Sequence, residues 1–388
     1  MTPSARLQAV IDILDELART RQPADRVLRA WGRAHRFAGS KDRAAIAEHL
    51  YRIERHRASF GWRMRSDTPR ALAMASVLEE AETLFSGAAY GPAALTEAER
   101  AVLAAAPGEA PAHVRGEYPQ FLEAELARAF GPGLMDEMQA AQERAPVDLR
   151  VNTLKASRDE VVRALADASV TPYSPWGIRI PAGVTGLERH PLFLAGAFEF
   201  QDEAAQLAVL RARAEPGQRV LDLAAGAGGK ALALAAQMED TGKIVAHDIS
   251  AARLAQIAPR AQRAGVTIIR TQTEPPRGRF DLVFLDAPCS GSGTWRRAPE
   301  NKWRLTPERL AELNGLQDRL LDMAAAHGDR IVYATCSILP CENEDRVAAF
   351  LRSHPEFAAE GAFFRATPLS TGTDGFFAAV LARPGAVG

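Results

Sequence analysis

The chain has 388 residues, a formal net charge of −1 and 47% hydrophobic residues, so it is too long for a single hydrophobic core and implies two or three domains. No apolar run approaches the roughly 20 residues that span a bilayer, and residues 1–17 lack the apolar core and cleavage site of a secretory leader, so a cytoplasmic protein with no membrane contact is expected. Three cysteines (Cys289, Cys336, Cys341) without a Cys-x-x-Cys pair, and eight histidines without ligand spacing, exclude a disulfide framework and give no metal site.

Residues 1–80 read as helices. Leu7, Val10, Ile11, Leu14 and Leu17 recur at the three-and-four spacing of one helix face, and Ala44, Ile46, Leu50, Tyr51 and Ile53 continue the pattern. Between residues 19 and 70, thirteen arginines and Lys41 stand against five acidic residues. Such a surplus suits a phosphate backbone, although the chain uses Arg 42 times and Lys five times throughout. Residues 86–115, rich in Ala, Gly, Pro and Glu, predict a loose connection with one short helix, and 119–144 predict a further helix. At Pro146 the character changes. Residues 147–154 predict a strand, Ser157 and Glu160 form a capping box at a helix start, and 178–181 predict a second extended segment.

From about residue 206 strands and helices alternate. Strands are predicted at Arg219–Leu223, Lys243–His247, 267–270, 281–285, 330–334 and 375–382, and this order implies a mainly parallel sheet with both faces covered. No internal repeat interrupts the pattern. The first of these strands runs into Ala224-Ala225-Gly226-Ala227-Gly228-Gly229-Lys230, a turn of small residues that lets backbone approach a ligand. Ala224 and Ala231 occupy the places of the first Gly and the Ser/Thr of a phosphate-cradling loop, which weighs against an ATPase. The next strand ends in Asp248, an acid about 20 residues on, spaced to receive ribose hydroxyls; the plain alternative is a tight turn with a capping Asp.

Two later strands each end in a polar turn carrying one cysteine: Asp286-Ala-Pro-Cys289-Ser-Gly-Ser-Gly293 and Thr335-Cys336-Ser337. A lone cysteine after a strand is usually a small buried hydrophobe. Two of them at the ends of neighbouring parallel strands, about 4.8 Å apart, would meet beside the cofactor turn. Asp286-Ala-Pro-Cys-Ser-Gly291, Thr335-Cys-Ser337 and Gly228-Gly-Lys230 together resemble the Sun/NSUN family of RNA (cytosine-5)-methyltransferases. Further matches are Arg297-Ala-Pro-Glu-Asn-Lys-Trp303, Glu342-Asn-Glu344, Asp374-Gly-Phe-Phe377 and Leu149-Arg-Val-Asn-Thr-Leu-Lys155. The resemblance runs from about residue 146 to the C-terminus. Residues 1–144 resemble the NusB-like helical domain of the family's bacterial 16S rRNA branch, best at Ser40-Lys-Asp-Arg-Ala44.

The resemblance implies an S-adenosylmethionine-dependent enzyme with a Rossmann-like class I methyltransferase domain over 206–388. It also implies a small α/β, RRM-like subdomain over 145–205 and an all-α domain over 1–144. Carbon 5 of cytosine is a poor nucleophile until a thiolate adds at carbon 6. By resemblance Cys336 supplies that thiolate, Cys289 helps release the product, and Asp286 binds the base or the cofactor. Ala224, Ala225, Gly226, Ala227, Gly228, Gly229, Lys230, Asp248 and Asp286 hold S-adenosylmethionine. The partner implied is RNA, foremost 16S rRNA, bound by a monomer; transfer RNA, or a silent RNA-binding assembly factor on the same fold, are the alternatives. Two departures from the family stand out. Its usual Cys-Ala-Ala-Pro-Gly-Gly-Lys turn is replaced by equally small residues. The acid expected near the adenine after the third strand is absent, and Gln272 either takes over its hydrogen bond or leaves the adenine without one. Cys341 reads as incidental, and Lys302 and Trp303 as either RNA-binding or packing residues.

Overall fold

Thr2 opens the first helix: its hydroxyl accepts the Ala5 N–H, and Pro3 takes the first helical position, where no donor is needed. The helix Pro3–Thr20 buries Leu7, Val10, Ile11, Leu14 and Leu17 against Ile46, Leu50 and Ile53 of the helix Ser40–Arg55, and Leu72 of Pro69–Ala75 completes this core. Ala44 lies outside, exposed. Residues 86–115 hold two helices where the sequence predicts one, Glu97–Ala104 and Ala112–Arg115; the first opens on a Thr96–Glu99 capping box. The predicted helix over 119–144 is broken at Gly131-Pro132-Gly133 into Glu123–Phe130 and Leu134–Ala140, because Gly131 takes φ +52° and Pro132 cannot extend the ladder.

This computed structural model describes residues 1–385 and forms two compact units. The helical unit comprises Met1–Glu143 and also Trp295–Leu305, a stretch that the sequence groups with the methyltransferase domain. Hydrogen bonds hold it there. Glu300 accepts the Ala24 N–H at the start of the helix Ala24–Ala34, whose N-cap Pro23 provides no side-chain acceptor; Trp303 Nε1 donates to the Glu54 carbonyl, and Arg304 donates to the Gln22 carbonyl. Lys302 is buried here against the rings of Trp295 and Trp303, and Trp303 itself is half-buried.

The second unit comprises Arg144–Thr294 and the chain from Thr306 onward. A small antiparallel sheet is built from β1 (Val147–Val151), β2 (Ser169–Val170), β3 (Gly177–Ile180) and β4 (Phe198–Phe200), in the order β2-β3-β1-β4. The large sheet contains β5 (Arg219–Leu223), β6 (Lys243–His247), β7 (Ile269–Gln272), β8 (Leu282–Asp286), β9 (Arg330–Thr335), β10 (Ala358–Ala359), β11 (Phe364–Ala366) and β12 (Phe376–Ala382). Its order is β10-β12-β9-β8-β5-β6-β7, with β11 on β12; β5 to β9 are parallel and β12 antiparallel. One core packs on each face, around Ala208, Leu234 and Phe284 on one side and Leu285, Leu321 and Tyr333 on the other. β7 begins two residues later than predicted, since Thr267 is tied to the Asp240 carboxylate through its N–H and hydroxyl and the ladder starts at Ile269. Among the described residues no helix is long and apolar enough to cross a membrane.

Candidate functional site

Strand order reverses at β5, which has β6 on one side and β8 on the other, and ligands of open α/β sheets sit at the carboxyl ends of strands at such a point. The small-residue turn lies there. Ala224 has φ +73°, Gly226 φ +56° and Gly228 φ +80°. Gly228 caps the helix Gly229–Gln237, and a Cβ on it would stand 2.7 Å from Ile257. The turn is held from both directions. The Asp248 carboxylate accepts the N–H of Gly226 at 2.9 Å and of Ser250 at 2.7 Å. On the other side Arg260 donates to the Ala227 carbonyl at 2.6 Å, and buried Arg150 of β1 donates to the Gly229 carbonyl at 2.8 Å. Glu199 of β4 accepts from Arg260, so the small sheet braces the turn. The sequence offered Arg150 only within a family match, and Arg260 and Glu199 not at all. Gln272 turns its amide onto the Glu274 carbonyl of its own loop.

Lys230 reaches across to Asp286 at the end of β8, with Nζ 2.5 Å from Oδ2. Burial works against the Lys230 charge, but Asp286, Cys336 and Asp222 outweigh it and hold the ammonium above its ordinary range. Asp222 of β5 is fully buried, and neither carboxylate oxygen has a hydrogen-bond partner. Burial first, and then the charge of Asp286, push its carboxyl up from 3.8 to about 7. Three acids, Asp222, Asp248 and Asp286, thus converge on one glycine turn and offer oxygen acceptors to a ligand that carries ammonium and hydroxyl donors.

Ionising Asp222 costs stability, and the sign is fixed by its raised pKa. The folded state keeps a proton that the unfolded state has lost, so the stability deficit relative to Asp222→Asn should grow as pH rises from about 4 and be complete above about 7. A displacement of that size corresponds to on the order of 4 kcal/mol. Denaturant unfolding of both proteins at pH 5 and pH 8 checks this; a gap that does not widen would show that the fold does not hold the proton on Asp222.

The two cysteines meet. β8 and β9 are parallel neighbours, and Cys289 Sγ and Cys336 Sγ lie 3.4 Å apart, both half-buried. The hydrogen bond to Cys336, then burial, then the charges of Cys336 and Glu342 push the Cys289 thiol well above its ordinary range. Both turns hang on a carboxylate that the sequence offered only as part of a family match. Glu342 is fully buried; it accepts the Ser290 N–H at 2.8 Å, the Ser290 hydroxyl, the Ser337 hydroxyl at 2.6 Å and the Gln317 amide at 3.1 Å. Asn343 accepts from Thr335 and donates to the Ser337 carbonyl. Gly293 donates its N–H to the Cys336 carbonyl, and its own carbonyl accepts from Gly375, so close that a Cβ on Gly293 would overlap the Gly375 oxygen. Cys341 sits in the turn Pro340–Glu342 and is in no disulfide. Among the described residues no cluster of metal-ligating side chains occurs.

A doubly wound parallel sheet closed by an antiparallel β12, with a small-residue turn after β5 and an acid after β6, is the Rossmann-like fold of a class I methyltransferase. Comparisons with known proteins narrow that class. Residues 209–382 match the family model for the 16S rRNA methyltransferase RsmB/F, and residues 118–185 match the ferredoxin-like domain model of the same proteins. The ribosomal RNA small subunit methyltransferase B of Sodalis glossinidius is 33% identical over 316 residues, 75% of this chain and 69% of that protein. A probable ribosomal RNA small subunit methyltransferase B of Synechocystis is 34% identical over 259 residues, 63% of this chain but only 58% of that relative's length. The crystal structure of PH0851 superposes with a TM-score of 0.80 over 99% of both chains, at 24% identity. The chain belongs to the RsmB/F family of S-adenosylmethionine-dependent methyltransferases.

Proposed function

We propose that this protein methylates carbon 5 of a cytosine in small-subunit ribosomal RNA, using S-adenosylmethionine and a covalent cysteine adduct. The observation that carries this reading is the 3.4 Å approach of Cys289 and Cys336 at adjacent strand ends beside the braced turn. Under this reading the turn Ala224, Ala225, Gly226, Ala227, Gly228, Gly229 and Lys230, with Asp248 and Asp286, holds the cofactor. When bound, S-adenosylmethionine supplies an electrophilic methyl group. The chain's own residues do the rest. The Cys336 thiolate adds to carbon 6, and the resulting enamine makes carbon 5 nucleophilic. Once that sulfur is a thioether its charge is gone and its bond with the Cys289 thiol weakens, so the part of the raised Cys289 thiol that Cys336 causes is relieved, while burial and Glu342 stay. Cys289 can then ionise and take the carbon-5 proton, after which the carbon 6–sulfur bond breaks and Cys336 leaves as thiolate.

The test is incubation with labelled cofactor and, in separate reactions, ribosomal small subunits and transfer RNA from cells lacking the protein, followed by mapping of the label. A label on cytosine in 16S rRNA is expected. Label on transfer RNA alone moves the substrate, and no label on any RNA leaves an RNA-binding assembly factor.

Asp248→Ala should weaken S-adenosylmethionine binding by about ten- to a hundredfold, the loss of a charge-assisted bond. The same carboxylate holds Gly226 in place, which adds to the effect. Calorimetric titration measures it; unchanged affinity removes Asp248 from the site.

A further inference from the structure

The helical unit carries an aromatic patch that starts at Trp31 on the edge of its core and runs out to exposed rings. Trp31 and His35 stack with centroids 4.3 Å apart and planes 14° apart, and Phe37 stands edge-on to His35 at 5.7 Å. His35 Nδ1 is 2.9 Å from the Trp31 carbonyl, which fixes the imidazole. Phe37 is 72% and Tyr90 89% exposed, yet both line one cleft of about 610 Å³ with Trp31 and His35. Trp31 also forms the wall of an adjoining cleft of about 440 Å³ lined by Arg29, Arg33 and Arg43. The acids nearby are engaged: Asp25 accepts from Tyr51 and faces Arg29, and Asp12 accepts from Gln8. Arg33 and Arg36 are exposed and have no ion pair among the described residues.

Exposed flat rings beside unpaired arginines are the elements of a stacking platform with a phosphate track. We infer that the Trp31–His35–Phe37–Tyr90 cleft binds single-stranded RNA, with bases against Phe37 and Tyr90 and phosphates along Arg33 and Arg36. This inference rests on the reading of the protein as an RNA methyltransferase and adds a substrate-gripping site in the helical unit.

The test uses the full chain and a labelled, unstructured 12-nucleotide RNA. Phe37→Ala with Tyr90→Ala should weaken binding about tenfold or more, and Phe37→Trp with Tyr90→Trp should restore it. Binding to a duplex of equal length should change little. Arg33→Gln with Arg36→Gln should flatten the slope of log affinity against log salt by about 1.4, as expected for two phosphates on a single strand. Unchanged affinity of the Ala double variant, or equal losses on single strand and duplex, overturns the inference. Methyl transfer to small subunits is followed in parallel. Transfer with no stacking-dependent binding defeats this site alone, whereas stacking-dependent binding without transfer defeats the catalytic reading alone.

Discussion

Cys336→Ala is expected to reduce methyl transfer to background, and Cys289→Ala to leave protein covalently joined to methylated RNA. The two thiols are 3.4 Å apart and hang from adjacent strands, so either could reach a base placed over the sheet edge. Their environments separate them. Cys336 lies within the influence of the Lys230 ammonium, whereas Cys289 has its thiol raised by Cys336, by burial and by Glu342. A thiol held protonated at rest is suited to wait, which leaves the attack to Cys336. Removing the attacker prevents the enamine, so no methylation follows. Removing the helper permits addition and methylation but slows loss of the carbon-5 proton, and the thioether persists. Denaturing gels of each variant with RNA and S-adenosylmethionine report this as a slow-migrating band with Cys289→Ala and none with Cys336→Ala. The reverse pattern would mean that the roles are exchanged, and full activity in both without any band would end the covalent mechanism.

Much of the catalytic unit was legible because local signals agreed there. Val220-Leu-Asp-Leu223 and Ile244-Val-Ala-His247 are buried parallel strands, and apolar runs bounded by turns give their limits residue for residue. The cysteine turns were legible because strand, turn and residue type coincide. β2, β4, β10 and β11 were not predicted, since two- and three-residue strands leave no periodicity. Nor was the grip of Arg150 and Arg260 on the carbonyls of Gly229 and Ala227, which joins residues 79 and 33 positions apart. A side chain bonding a distant backbone group writes no pattern into its own neighbourhood. The packing of Trp295–Leu305 with the helices was hidden for the same reason: Glu300 caps a helix 276 residues away.

Glu342→Ala should be the most damaging substitution outside the reacting groups. It strips the acceptor from four donors that hold the two cysteine turns: the Ser290 N–H, the Ser290 and Ser337 hydroxyls and the Gln317 amide. Each buried donor left without a partner costs about 1–3 kcal/mol, and part is recovered because a buried charge is also removed. A net loss of about 3–5 kcal/mol follows, or roughly a 10 °C fall in the unfolding midpoint of a unit this size. Glu342→Gln keeps the shape and loses the charge, so it should fold, and it provides the sharper test. The Glu342 charge is one of the causes that raise the Cys289 thiol. With Cys336 and Cys341 replaced by serine, leaving Cys289 as the sole reporter, iodoacetamide should alkylate Cys289 faster in the Gln variant, with the pH–rate midpoint moved down. A structural tether alone would shift the unfolding midpoint and leave that titration where it was. An unchanged titration would show that Glu342 positions the turns without tuning the thiol, and an unchanged midpoint in Glu342→Ala would show that it does not hold them.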